Sequence, residues 1–534
     1  VNLYLKNVLL VVPRILGQLD RNLDSVNYGC FDRGYWLHRT ADFPSSACQQ
    51  ASLSLALLYN LDDPLNPYYK SEDILRLTIA SIRFTFSLQH RDGSFDEWYP
   101  NERGWAGPTG YVIYSLFKAA ELIYSHLTDA DKENLRDVGF SAISFLKKFE
   151  EKDVLANHQA KALLAVSQVY KVFPELYKTD VIESLTSRWL QSYNAEGWSL
   201  EYDGIDPGYQ TATLSFLARH DRIFIDPKIR STIEAQLKLL RHFFYKDGTF
   251  AGIIGSRNTD NLFFYGIEYW TKIFPDCDDL RTLTHNSLRA SAVPMPIDQE
   301  DHYAIYRCHE FLEAYIESFN RSLPQQSLNS NFGVSYYKDA GIVSFHKESF
   351  SLITNLRKGG AFVFNSNQSD DSLQRDSGWV IFQKGRLFTN SFSQHTNFNW
   401  NPTTSMAEVS GVAYQIKRPV FNPWKFVLFR IFCLFFLWNT RFSRSAKSWI
   451  RSKLMMRPKL VKKIKFTRTL DLGGSSPIVT DKISGLTNGD SLLLGGTINS
   501  RMVPQSQYFN PVTGHSLSQS FQITDSEFSI TRTL

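Results

Sequence analysis

"YAIYRCHEFLEAYIESFNRSLPQQSLNSNFGVSYYKDAGIVSFHKE", residues 303 to 348, changes its hydrophobic period part-way along, and that change decides the fold. Up to Phe319 the apolar residues recur every three or four positions, the spacing of one helix face. From Phe332 they alternate with polar ones, the spacing of a half-buried strand. Between the two lies "SLPQQSLNSN", residues 322–331, whose Pro, Gln, Ser and Asn content is that of a linker.

Upstream of this switch the chain reads as helix after helix. "ACQQASLSLALLYNL", "SEDILRLTIASIRFTFSLQ", "TGYVIYSLFKAAELIYSHL", "DKENLRDVGFSAISFLKKF", "HQAKALLAVSQVYKVF" and "PKIRSTIEAQLKLLRHFF" all carry the helical period, with short Gly, Pro, Asp and Asn breaks between them. Sequential pairs of this kind predict helical hairpins arranged around an axis. Downstream, "FSLITNLRKGGAFVFNS", "GWVIFQKGRLFTNSF", "VSGVAYQIKR" and "KKIKFTRTLDL" alternate, with turn residues between them. Helices first and strands afterwards predict an α+β chain of separate domains. The expected fold is an N-terminal (α/α) helical toroid over 1–322, followed by an antiparallel β-sandwich over 332–534, with a basic, aromatic helical insertion at about 422–460.

The 534 residues are 43% hydrophobic, enough for a large core, and 14% aromatic, which suits a groove that stacks on sugar rings. Cys30, Cys48, Cys277, Cys308 and Cys433 are scattered and odd in number, so they signal neither a disulfide framework nor a zinc site. No metal and no cofactor is expected. "VNLYLKNVLLVVPRILGQLDRN" at the N-terminus reads as an amphipathic helix, because Pro13 and Arg14 interrupt a short apolar run and no small-residue cleavage site follows.

The net charge of +5 conceals an asymmetry. From Gln415 to Leu470 there are about fifteen Lys and Arg and no Asp or Glu, which leaves the rest of the chain with a net negative charge of about ten. Within this region Phe426 to Trp438 is an apolar run interrupted by Arg430. It is shorter than the roughly 20 residues that span a bilayer. Followed by Phe442, Trp449, Ile450 and Leu454 among Arg441, Arg444, Lys447, Arg451 and Lys453, it has the composition of an amphipathic helix on an anionic surface. Peripheral membrane contact through 423–458 is the expectation. Packing on the helical domain and binding of an acidic polysaccharide are the alternatives. No nucleic-acid motif accompanies the charge, so nucleic acid is not expected as a partner.

Three stretches carry a resemblance. "LANHQAKALLAV" sets Asn157 and His158 at a helix start, "GWSLEYDGIDPGYQTATLSFLARH" contains Tyr202 and Tyr209, and "GTFAGIIGSRNTDNLFFYGIE" contains Arg257 and Asn258. With the toroid-then-sandwich layout, the chain resembles the heparinase II/III-like family of polysaccharide lyases. The resemblance implies β-elimination beside a uronic acid carboxylate. Asn157 and His158 would hold the carboxylate as it becomes an enolate, and Tyr209 would be the base and the acid that protonates the leaving oxygen. Tyr202 is the rival base, and Arg257 or His158 would favour the phenolate. For Asn157 the plain alternative is a helix N-cap.

The chain departs from the family where relatives usually carry a histidine motif in an early β-domain strand. "NSNQSDDSLQRDSGWVIFQKGRLF" offers Arg375 and Asp376 instead, and His395 lies later. Two further clusters are candidate groove rims: Trp98, Tyr99, Glu102, Arg103 and Trp105 in one loop, and Arg33, Trp36, His38 and Asp42 in another. The expected substrate is an acidic polysaccharide. A uronate C5-epimerase, a non-catalytic glycan binder, and a glycoside hydrolase using Glu102, Glu201, Asp203 or Asp206 are the alternatives. The expected place is a bacterial cytoplasm or inner-membrane surface, with a role in capsule or exopolysaccharide metabolism, and the periplasm is the alternative.

Overall fold

The computed structural model describes residues 3–103, 105–148, 155–323, 333–366, 373–391, 396–416, 422–451, 459–495 and 518–534. Most of the expected linker and all of His395 lie outside these residues.

Six helices, Ala51–Asn60, Ala106–Leu122, Ala156–Val172, Pro207–Asp221, Tyr265–Ile273 and Asp301–Ser318, form an inner ring. Each packs on the next and the last returns to the first, so the ring closes. Helices surrounded by protein are buried on every side, and from Ala51 to Tyr59 every residue is buried. Outside the ring lie Glu72–Phe86, Asp129–Lys148, Thr179–Leu190, Pro227–Arg241 and Asp279–Arg289. Their charged faces meet solvent and one another. Arg83 and Asp131, for example, join two neighbouring outer helices through paired 2.8 Å bonds. Local signals set the helix starts. Asp206-Pro207 and Asp226-Pro227 each supply a capping carboxylate followed by a proline in the first turn.

The connections from outer to inner helices share one device. Gly29, Gly93, Gly197 and Gly248 all have φ between 91° and 96°. A Cβ on any of them would come within 2.5 Å of a carbonyl oxygen in the following outer helix, at Ala80, Ser141, Ala235 and Asn286 respectively. Only glycine combines that left-handed backbone with so close an approach. The loops that leave these glycines run into the starts of inner helices, and they carry most of the candidate site residues.

The β-domain has two antiparallel sheets. Gly333–Tyr337, Ile342–His346, Phe350–Asn355, Ala361–Ser366 and Gln374–Asp376 pair in sequence order. The central strands of this sheet are buried on both faces. Ile342, Ile353, Ala361 and Val363 join the core of the helical domain, whereas Val343, Phe345, Leu352, Phe362 and Phe364 join a second core. The second core is completed by a larger sheet built around Met406–Ile416 and Lys459–Asp471, which pair directly. The result is a ring, a middle sheet and an outer sheet, the expected toroid followed by a sandwich.

Candidate functional site

The Ala156–Val172 helix is capped from outside. Its N-cap, Leu155, offers no side-chain bond. The Glu201 carboxylate takes that place, accepting from the Asn157 backbone N–H and from its Nδ2, both at 2.7 Å. The Tyr111 hydroxyl donates to Asn157 Oδ1 at 3.1 Å. Asn157 is therefore not the N-cap: it is the second residue of the helix, and its amide plane is fixed from two sides. Of its two amide hydrogens, one goes to Glu201.

From Ala156 to Tyr170 every residue of this helix is buried except His158. From Pro207 to Asp221, in the adjacent inner helix, every residue is buried except Tyr209. Both exceptions fall in the first turn. The His158 ring lies edge-on to Trp105 and Tyr111, with centroids 5.3 and 6.1 Å away. A Cβ at Gly107 would meet that ring at 2.6 Å, so the absence of a side chain there makes room for His158.

Tyr209 is drawn into the same cluster. Burial and the neighbouring Tyr202 push its phenol well above the ordinary value, Glu201 and Tyr111 push the same way, and Arg257 opposes them. Glu201 and Tyr111 are the two groups that hold Asn157, so the cluster around Tyr209 and the cluster around Asn157–His158 share members. The Arg257 guanidinium lies 4.4 Å above the Tyr202 ring. Tyr202 and Asn258 have φ of 62° and 55°. A bulky residue such as tyrosine rarely takes that conformation, and such strain collects at functional sites.

The loop bearing Arg257 is fastened on both sides. Ser256 donates through its N–H to Ile205 O at 2.8 Å and through Oγ to Glu201 O at 2.7 Å, and Arg257 N donates to Asp206 Oδ2 at 2.8 Å. From the β-domain, Asn355 Nδ2 donates to Ile254 O and Lys358 Nζ to Ile253 O, at 2.8 and 2.7 Å. Asn258 is fully buried, yet neither polar atom of its amide has a hydrogen-bond partner among the described residues; nor has Arg257 Nε. Such groups call for an explanation, and a ligand is one.

Further along the Asn157 helix, the Lys161 ammonium is enclosed by Tyr111, Tyr114 and Phe216, with centroids 5.1, 4.3 and 4.4 Å away. Burial, helped by Arg219, drives its ionisation well below that of an ordinary lysine. Arg219 is held by Glu310 and Glu313 at 2.5 and 2.8 Å.

Several expectations need correction. Glu102 is fully buried, accepting from the backbone of Glu97 and Trp98 and pairing with Lys447 at 2.5 Å. Tyr99 is buried against Phe429, Cys433 and Leu437 of the insertion. Arg103 is engaged by Asp92, His90 and Asn101. This loop seats the insertion; of its candidates, Trp98 remains exposed, its ring 5.3 Å from His302. Asp42 likewise pairs with Arg430 of the insertion at 3.1 Å. Three of the four carboxylates of the hydrolase reading have structural tasks: Glu201 holds Asn157, Asp206 caps the Tyr209 helix, and Glu102 lies under Lys447. Asp376 is locked between Arg468 and Arg532. Its neighbour Arg375 lies close enough to Asp260 and Tyr245 to oppose the burial that pushes the Asp260 carboxyl up to about 6 and the Tyr245 phenol above its ordinary value. Among the described residues, no group of three or more His, Cys, Asp or Glu is arranged to hold a metal ion.

Glu201 is offered by the sequence only as a hydrolase carboxylate, and Tyr111, Gly107 and Lys161 are not singled out there at all. The roles of Glu201, Tyr111 and Gly107 become visible only once helices distant in sequence are placed side by side.

Neither a protein-family model nor a curated protein matches the chain. Solved structures do. Xanthan lyase from Paenibacillus superposes with a TM-score of 0.51 at 9% identity, covering 99% of this chain and 56% of that one. The chain shares the fold of that lyase, a helical ring followed by antiparallel sheets. Chondroitin AC lyase from Streptomyces coelicolor A3, solved in complex with chondroitin sulphate, also gives 0.51 at 9% identity, over 92% of this chain and 71% of its own. The chain thus spans a little over half the length of the xanthan lyase, and at this identity the likeness is one of fold.

Proposed function

We propose that this protein acts on a uronic-acid-containing polysaccharide by C5 proton abstraction and β-elimination, as a divergent heparinase II/III-like lyase. One observation carries the reading. His158 and Tyr209 are the sole residues only partly buried in the first turns of two adjacent inner helices, where every other first-turn residue is buried.

The uronate carboxylate is received by the remaining amide hydrogen of Asn157 and by the His158 ring, with the Arg257 guanidinium beside them. Donors fixed in advance strengthen as the carboxylate gains enolate charge. Tyr209, as phenolate, takes the C5 proton. The C4–O bond breaks, a C4–C5 double bond forms, and the proton passes from Tyr209 to the leaving oxygen. Because burial keeps the resting phenol protonated, Arg257 is the group that makes its ionisation accessible.

The test is a panel of acidic polysaccharides followed for ultraviolet absorbance of unsaturated uronate and for deuterium uptake from solvent. Absorbance growing with turnover supports elimination. Deuterium at C5 without chain shortening assigns the same residues to epimerisation. Neither signal across the panel, with binding retained, makes the protein a glycan binder and overturns the proposal.

A further inference from the structure

Between the paired strands Met406–Ile416 and Lys459–Asp471, where a short turn would suffice, the chain makes the helices Pro423–Phe436 and Thr440–Arg451. Only one stripe of the first helix is covered: Cys433 and Leu437 are buried, with Phe429 and Phe432 beside them, against Tyr99. The rest of that helix and its turn face outward. Trp424 is 79% exposed, Leu428 66%, Phe435 67% and Trp438 62%, and on the second helix Trp449 is 64% exposed. So large a contiguous apolar face marks an interaction site on a folded protein.

Charge identifies the partner. No acidic residue occurs between Gln415 and Leu470. Two of the insertion's cations are used internally, Arg430 on Asp42 and Lys447 on Glu102, and these pairs hold the helices on the helical domain. Arg441 is exposed beside the apolar face, on an open cleft lined by Phe435, Phe436, Trp438 and Phe442. Lys425 is exposed at the other end. Aliphatic and Trp side chains edged by Lys and Arg match a bilayer interface with anionic headgroups. A bound polysaccharide would be met by polar side chains rather than by Leu428 and Val427. No described helix is long and apolar enough to cross a membrane.

We infer that this insertion is a peripheral docking surface for an anionic lipid bilayer, the outward face of Pro423–Phe436 entering the interface while Arg441 and Lys425 engage headgroups. The opposite, seated face of the insertion adjoins the candidate site. Lys447 lies 3.5 Å from the centroid of the Trp105 ring, and Trp105 packs edge-on against His158.

The experiment is co-sedimentation of the full chain with vesicles of phosphatidylcholine alone and of phosphatidylcholine mixed with phosphatidylglycerol. The expected result is binding at least about tenfold tighter to the mixed vesicles, weakened by salt. It should be accompanied by a blue-shifted tryptophan emission. Leu428→Asp with Phe435→Asp, both outward-facing, should lose at least about tenfold with unchanged circular dichroism. Arg441→Glu should weaken binding to the mixed vesicles by about tenfold and leave the neutral ones unaffected. No preference for anionic vesicles, or undiminished binding by the Leu428/Phe435 variant, would overturn the inference. So would a polyanionic glycan that binds this face when vesicles do not.

Discussion

At the scale of single residues, the site rests on how Asn157 is held. In the proposed reaction the Asn157 amide meets a developing enolate and needs a fixed plane, which the Glu201 carboxylate and Tyr111 hydroxyl supply. Glu201→Gln keeps the shape but weakens that hold, and the expected result is a loss of about 10- to 100-fold in kcat/KM with little change in melting temperature, read by steady-state kinetics. Gly107→Ala should displace the His158 ring and cost about as much, since misplacing a reacting group by about 1 Å is worth that order. The pH dependence follows from Tyr209. Its phenol titrates above the ordinary range near 10, and proton abstraction requires the ionised form. The logarithm of kcat/KM should therefore rise steadily with pH over the neutral and mildly alkaline range, and a flat profile would remove Tyr209 as base. Asn157, His158 and Tyr209 stand out as candidates in the sequence because an Asn-His pair at a helix start and a tyrosine after Asp-Pro-Gly are local patterns. The sequence does not link Glu201 to Asn157, because that bond joins residues 44 positions apart.

At the scale of elements, buried polar pairs tie neighbouring inner helices together. Ser167 of the Asn157 helix meets His220 of the Tyr209 helix at 2.7 Å. Burial lowers the His220 pKa from 6.5 to about 4. The unfolded chain thus takes up this proton first as pH falls, so stability held above pH 6.5 is lost progressively toward pH 4, by up to roughly 3 kcal/mol. Urea midpoints measured across that window should fall with pH, and His220→Gln should reduce the slope. The helices themselves were legible from period and caps. The four glycines that repeat the outer-to-inner connection are only half legible as a repeat: "RDGSF" and "KDGTF" match closely, but "NYGCF" and "AEGWS" share little with them beyond the glycine. What they share is a backbone conformation.

At the scale of the whole molecule, the ring, middle sheet and outer sheet were readable from the single change of period, since each layer keeps its own spacing throughout. The loop around Trp98 to Trp105 was misread as a groove rim, because aromatic and charged residues serve a docking seat as well as a sugar, and its partner Lys447 lies 345 positions further along. Glu102→Gln would leave Lys447 beneath the surface without its counter-charge. The expected cost is on the order of 3 kcal/mol, seen as a lower melting temperature and faster hydrogen exchange in the insertion helices. The account as a whole stands on His158, Asn157 and Tyr209 acting together on one acidic sugar. The most direct measurement is the rate of unsaturated-uronate formation by Tyr209→Phe, made alongside its affinity for the same polysaccharide. The account predicts a fall of about 10²- to 10⁴-fold in rate with affinity retained; a Tyr209→Phe protein that eliminates at the full rate would contradict it.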